Sequence, residues 1–374
     1  MQSHNNNYSN EIVIKTVLLL IAAGLNGIEL LIPRIPFFPW FKPGFANIIT
    51  IIWIVRYGTI DAVLFTLIRS WISGFYFGFS LLAMVLSLSG GIASTIVVGI
   101  LWQLLGKRGI LGTVGLAMTG ALIHNATQLS VVYFLFMRND SIFYQIPLMM
   151  IASIVFGGIT GLLVVNVKRL LECRAFNSFE IKTELGQFQK PSRFNVVMGC
   201  TLILFCAAIV LIDNLLILVT LTAGIALCAL FASRKKIEII SVPFRFRYFM
   251  IFVILSYLLF SPGRKVSILP FITYEGIHLS IQQMLRIVCW IETGIILSRL
   301  KFNFFLFSFF RKLFPANQDT ICAGILSVEH FPEIAEASYV SKKELCTIFR
   351  NVGSFFEGYI NKLFNRIEMV LFKG

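Results

Sequence analysis

Apolar runs near residues 13–32, 44–57, 59–77, 80–103, 110–136 and 143–167 follow one another with only short polar breaks. A helix crosses the hydrocarbon core of a bilayer with about 20 apolar residues, so each run except the second is long enough to span. That pattern constrains the chain more than any motif does. In lipid every backbone N–H and C=O must be paired within the protein, which helices do by themselves. The run at 44–57 is short, and reads as tilted, broken or re-entrant behind a protein cover.

A polar, charged stretch over 168–194 then interrupts the membrane pattern and reads as a linker. Four more runs follow, near 195–212, 214–232, 246–262 and 277–298. The expectation is therefore an all-α polytopic membrane protein with about ten transmembrane helices, six in a first bundle and four in a second. Residues 301–374, with "FFRKLF" and "KKELCTIFRNVGSFFEGYINKLFNRIE", alternate charge and bulk as cytoplasmic or interfacial amphipathic helices do. The division expected is 1–170, linker 171–194, 195–300 and 301–374.

Composition agrees: 57% of the residues are hydrophobic and 13% charged, with a mean hydropathy of +0.84. The formal charge of +14 comes from Lys and Arg in the polar breaks and not from one basic face, so it reports topology and gives no sign of nucleic-acid binding. Lys107, Arg108, the 168–194 cluster, Arg234, Lys235, Lys236, Arg245 and Arg247 fall on one side of the span count. By the excess of cations that side is the cytoplasm, with both termini on it, in a cytoplasmic (inner) membrane. Arg34, Lys42, Arg264 and Lys265 on the other side weaken the asymmetry without reversing it. The polar amino end, "MQSHNNNYSNEIVIK", carries no cleavage signal, so the first run is expected to stay as a membrane helix.

The seven cysteines, Cys173, Cys200, Cys206, Cys228, Cys289, Cys322 and Cys346, form no C-x-x-C pair and read as thiols, not as a disulfide frame or zinc site. No P-loop, no H-E-x-x-H and no aspartate-rich pair of the kind that holds magnesium diphosphate is present. No catalytic residue, cofactor or metal is expected.

Polar side chains at bilayer depth are costly unless paired or facing a cavity. His124 and Gln128, four apart in "GALIHNATQL", share one helix face, while Asn125 points about 100° away. They line a cavity or bond helix to helix. Asn26 and Glu29 on the first run, and Arg69 with Ser73 on the third, offer a Glu29–Arg69 ion pair that would remove two buried charges at once. The loop "IPRIPFFPWFKPGFANI" holds four prolines and, with Trp40, an aromatic cluster; it reads as a stiff lid over a pocket or as an interfacial belt. Ala23 and Gly27, and Gly90, Gly91, Ala93 and Ser94, permit close helix contact.

Four pieces, "KPGFANIITII", "LIRSWISGFYFG", "SLSGGIAS" and "GALIHNATQL", resemble in order and spacing the Gx transporter family, whose older name is heptaprenyl diphosphate synthase component I. The resemblance covers about residues 13–170. That family looks similar to the substrate-binding S components of energy-coupling factor transporters, which implies six helices and a ligand pocket near the outer face. The resemblance implies Asn47, Arg69, His124, Asn125 and Gln128 as pocket residues, with Trp40 in the lid, and Ala23 and Gly27 as the face that docks a T component. Residues 271–300 resemble the "EG…LR" segment of T components through Glu275, Gly276, Leu285 and Arg286, which implies coupling roles for Glu275 and Arg286. The short Ala-Arg motif that engages ATPases is not evident.

Three functions follow as expectations. The first is uptake of a small molecule, with ABC-type ATPase subunits supplied in trans. The second is a noncatalytic membrane subunit of a soluble prenyl diphosphate synthase. The third is a scaffold in contact with membrane lipid alone. Lid aromatics would suit a flat ligand and Arg69 an anion.

Overall fold

The computed structural model describes residues 2–31, 44–76, 81–137, 139–173, 192–232, 243–244, 246–266, 269–300, 303–335 and 352–371. Among them the expected spans are helices: α1 (Gln2–Leu31), α2 (Asn47–Tyr57), α3 (Thr59–Tyr76), α4 (Leu81–Leu101), α5 (Thr113–Leu135), α6 (Ile146–Cys173), α7 (Arg193–Ile209), α8 (Leu215–Ala232), α9 (Arg247–Phe260) and α10 (Tyr274–Arg299). Three more follow, α11 (Asn303–Leu313), α12 (Gln318–Ala335) and α13 (Val352–Leu371). The chain is an all-α membrane protein. Three stretches, within Glu11–Glu29, Leu81–Gly106 and Ile142–Leu171, have both the length and the apolar character to cross a bilayer unaided.

The short run behaves as its length requires. At 11 residues, α2 rises only about 16 Å, half a bilayer core. Ile48 through Ile54 are all buried, so neighbouring helices enclose it, as an all-apolar helix demands. It ends at Gly58, whose φ of 90° lies where L side chains are disfavoured, and α3 starts one residue later. Trp53 of α2 stacks on Phe65 of α3, centroids 4.2 Å apart.

Small residues set the closest helix contacts. A Cβ on Gly157 or Gly161 of α6 would lie 2.6 Å and 2.5 Å from the Cα atoms of Met118 and Val114 on α5, so "FGGITG" is a G-x-x-x-G contact. Small residues at this spacing are common in membrane helices, so the motif alone does not mark the contact. On α4, a Cβ on Gly90 would lie 3.0 Å from His124 and one on Gly91 2.8 Å from Thr66, the close approach expected of "SLSGGIAS".

Two apolar cores form, and neither follows the linker. One joins α1, α2 and parts of α3 and α6 to Phe307, Phe310, Ile321, Phe331, Phe356, Ile360, Leu363 and Ile367 of α11–α13. The other joins Trp71, Leu82, Leu129, Phe136 and Met149 of the first six helices to Ile209, Leu218, Phe249, Val253, Ile287 and Trp290 of α7–α10. The amphipathic faces read at 301–374 as interfacial are thus laid against α1 and α3 over the described residues of that stretch. By contrast α6–α9 turn large apolar side chains outward, among them Ile151, Ile154, Leu162, Leu204, Leu216, Phe231 and Leu259. An apolar exterior of that extent is what lipid contact requires.

One element departs from the all-helical expectation. Lys265–Val266 pairs antiparallel with Leu269–Thr273, Lys265 opposite Thr273. This hairpin delivers the chain to α10, where the Thr273 hydroxyl accepts from the Gly276 N–H at 3.0 Å and donates to Ser261 O at 3.2 Å, capping the helix.

Candidate ligand cavity

Six helices surround a small cavity, whose empty space of about 790 Å³ includes the solvent at its open mouth. Its wall takes Asn26 and Glu29 from α1, Asn47, Thr50 and Ile51 from α2, Arg69 from α3, Ser87, Ser94 and Thr95 from α4, His124 and Asn125 from α5, and Ser153, Phe156 and Thr160 from α6. Four side chains singled out from the sequence, Asn47, Arg69, His124 and Asn125, come together here.

Arg69 is 3% exposed. Its Nη2 donates to Asn47 Oδ1 at 3.5 Å, and its guanidinium carbon lies 5.8 Å from the centroid of the Phe65 ring. Glu29 lies within Coulombic reach of the guanidinium, as the two-charge argument anticipates, but its Oε1 accepts from the Ala46 N–H at 3.0 Å. That bond ties the outgoing end of α1 to the start of α2. Ser73 bonds back to Arg69 O at 2.9 Å and accepts from Asn26 Nδ2 at 2.9 Å, pinning α1 to α3.

On α5 the face assignment changes. Gln128 was expected to line the cavity beside His124; instead its Nε2 donates to Leu86 O at 3.1 Å, and it lies outside the lining. It bonds α5 to α4, the helix-to-helix alternative. Asn125 lines the wall with His124 and donates from Nδ2 to Ser153 Oγ at 2.8 Å, bridging α5 to α6. A cavity enclosed by several helices takes adjacent positions from one helix, which a single-face argument does not allow. Trp40 and the rest of the 33–43 loop lie outside the described residues.

Glu275 and Arg286 stand apart from this cavity. Glu275 Oε2 accepts from Arg264 N at 2.8 Å, tying the open end of the hairpin to the start of α10. Arg286, 4% exposed, donates from Nη2 to Ile212 O at 2.6 Å and to Asp213 Oδ1 at 3.0 Å. Gln282 bonds Asp213 O, and Gln283, with its amide turned to satisfy both groups, donates to Phe136 O at 3.0 Å and accepts from Arg286 Nη1 at 2.7 Å. Arg286, with Gln282 and Gln283 beside it, thus clamps the α7–α8 turn and the end of α5.

A second polar node escaped the sequence reading altogether. Asp61, at the start of α3 and 4% exposed, pairs with Lys15 Nζ at 3.1 Å. It also accepts from Trp53 Nε1 at 3.2 Å, Asn317 Nδ2 at 2.8 Å and the Thr320 hydroxyl at 2.7 Å. Lys15 and Asp61 are 46 positions apart and Thr320 is 259 beyond Asp61, so no local pattern signals them. Beyond this node, Tyr359 of α13 donates to Gly24 O at 3.2 Å, and a Cβ on Gly24 would lie 3.0 Å from Leu363. The small-residue face of α1 around Ala23 and Gly27 is buried within the chain. Cys200, Cys206, Cys228, Cys289 and Cys322 are free thiols, and among the described residues no group of three or more His, Cys, Asp or Glu side chains is placed to hold a metal.

Comparison with curated proteins gives no match, and neither does comparison with solved structures. A family model described as heptaprenyl diphosphate synthase component I matches residues 18–167, a span that runs from within α1 to within α6 and takes in the cavity wall. Over those residues, less than half of the chain, it is similar to the heptaprenyl diphosphate synthase component I family.

Proposed function

We propose that this protein binds a small molecule in the α1–α6 cavity for uptake across the membrane, as an S-component-like unit joined in one chain to a T-component-like partner. The observation that carries the reading is Arg69, an ion buried in a polar cavity wall at the centre of the family-matched helices. Buried ionisable side chains in membrane bundles are kept where a ligand or ion path uses them. The face of α1 around Ala23 and Gly27 is covered by α12 and α13, which follow the T-like stretch in the same chain, an arrangement that supports a joined S-like and T-like unit. Energy would come from ABC-type ATPase subunits in trans, and both termini would face the cytoplasm.

The family description favours a second reading, in which the chain is the membrane component of a two-part prenyl diphosphate synthase. The reacting carboxylates would then come from a soluble partner. Affinity purification of the full chain in mild detergent, with mass spectrometry of co-eluting proteins and small molecules, separates the two. The uptake reading expects a retained metabolite or a pair of ABC-type ATPases; a prenyl diphosphate synthase recovered without a ligand overturns it.

A further inference from the structure

We propose that the cavity selects a singly charged carboxylate-bearing molecule, its carboxylate seated on Arg69 and its compact apolar body lying against Ile51, Val98 and Phe156. The inference rests on the ligand-binding reading above and narrows it to a substrate class.

A guanidinium carries five N–H donors and stays charged in proteins. Here Nη2 makes one long bond, to Asn47, and neither Nε nor Nη1 has a hydrogen-bond partner among the described residues. Leaving charged donors unpaired on a side chain only 3% exposed is unfavourable, and a carboxylate is the compact group that answers them. Gly44, Ala46 and Asn47 at the start of α2 also reach the cavity wall, but the Glu29 carboxylate already takes the Ala46 N–H there, so the open donors are those of Arg69.

The charge balance sets the upper limit. Glu29 shares the wall and acts on Arg69 through space, so the wall holds one cation and one carboxylate, and only the open N–H donors of that single cation favour an anion. A ligand with two or three negative charges would bring charge that the remaining wall, made of amides, hydroxyls, apolar groups and the His124 imidazole, does not neutralise. Multiply charged phosphates are therefore disfavoured. The apolar patch of Ile51, Val98 and Phe156 gives the rest of the molecule a surface to cover.

The test uses the full chain in lipid nanodiscs and matched probes: benzoate and octanoate, their neutral amides, phenyl phosphate and geranyl diphosphate. Thermal shift and calorimetric titration are expected to show binding of the acids over both the amides and the phosphates. Arg69→Gln should weaken acid binding at least about tenfold, the scale of losing a charge-assisted bond. Asn47→Asp sets a second carboxylate beside the guanidinium and should do the same with the cation kept, so it carries the test if Arg69→Gln does not fold. Equal binding of acids and amides, tighter binding of the phosphates, or unchanged affinity in both variants overturns the assignment. Metabolites extracted from the wild-type protein separate the two claims. A retained carboxylic acid supports the class, and a retained neutral or cationic compound overturns it while leaving ligand binding intact. No retained metabolite together with no probe binding overturns both.

Discussion

Single side chains carry two distinct kinds of polar burial in this protein. Asp61 accepts from Trp53, Asn317 and Thr320 and pairs with Lys15, itself 5% exposed. Removing one partner of such a pair strands the other, at a cost of about 3–5 kcal/mol, whereas an apolar pair of similar volume is often neutral. Asp61→Ala should lower the melting temperature in detergent sharply, and the double variant Lys15→Met with Asp61→Leu should recover most of the loss; equal damage from both would show that the ion pair is not what holds the site. Gln128 is the other kind, a helix-to-helix bond outside the cavity wall. Gln128→Leu removes that bond, worth about 1 kcal/mol net, and leaves ligand affinity unchanged, whereas Asn125→Leu should alter affinity. Isothermal titration of the two variants against one ligand checks this. From the sequence, four apart on a helix grouped Gln128 with His124. The fold regrouped them because α4 passes close enough for its Leu86 carbonyl to take the amide.

At the scale of elements, the contact between α5 and α6 depends on two glycines. Gly161→Leu would push a side chain into backbone 2.5 Å from its Cβ, and the cavity wall contributed by both helices would part. The expected result is loss of the folded, monodisperse species in size-exclusion chromatography; a normal elution profile with intact ligand binding would show that the close contact is dispensable. The carboxyl-terminal helices are the second such case. Phe356, Tyr359, Ile360, Leu363 and Phe364 of α13 are buried in the core that holds α1. Deleting 352–374 strips α1 of that cover and should cause aggregation that point substitutions on the exposed side of α13, such as Glu357→Ala, do not. Among the described residues, ten of the thirteen helices were legible as apolar runs, because bilayer depth sets a length that composition reveals directly. The fate of α12 and α13 was not, since an amphipathic face is equally suited to a lipid surface and to another helix.

For the molecule as a whole, the two cores tie distant parts of the chain together. The clamp made by Gln282, Gln283 and Arg286 holds the α7–α8 turn and the end of α5 at once. Arg286→Gln should release that turn at a cost of about 1–3 kcal/mol, read as faster hydrogen exchange at 210–214 with ligand affinity unchanged. If exchange there is unaltered while uptake into proteoliposomes falls, Arg286 acts in coupling and the clamp is incidental. Arg286 of the "EG…LR" segment thus has a structural task in this fold.

The sequence by itself determined that this is a helical membrane protein, where its helices run, and that residues 18–167 carry a recognisable family pattern, because hydrophobic length and short motifs are properties of contiguous residues. Only the tertiary structure decided which polar side chains meet. Arg69 and Glu29 share a cavity, Gln128 leaves it, and Asp61 gathers Lys15 from one end of the chain and Thr320 from the other. Those choices follow from where helix backbones pass one another, and that depends on all the packing contacts together, not on any one stretch of chain.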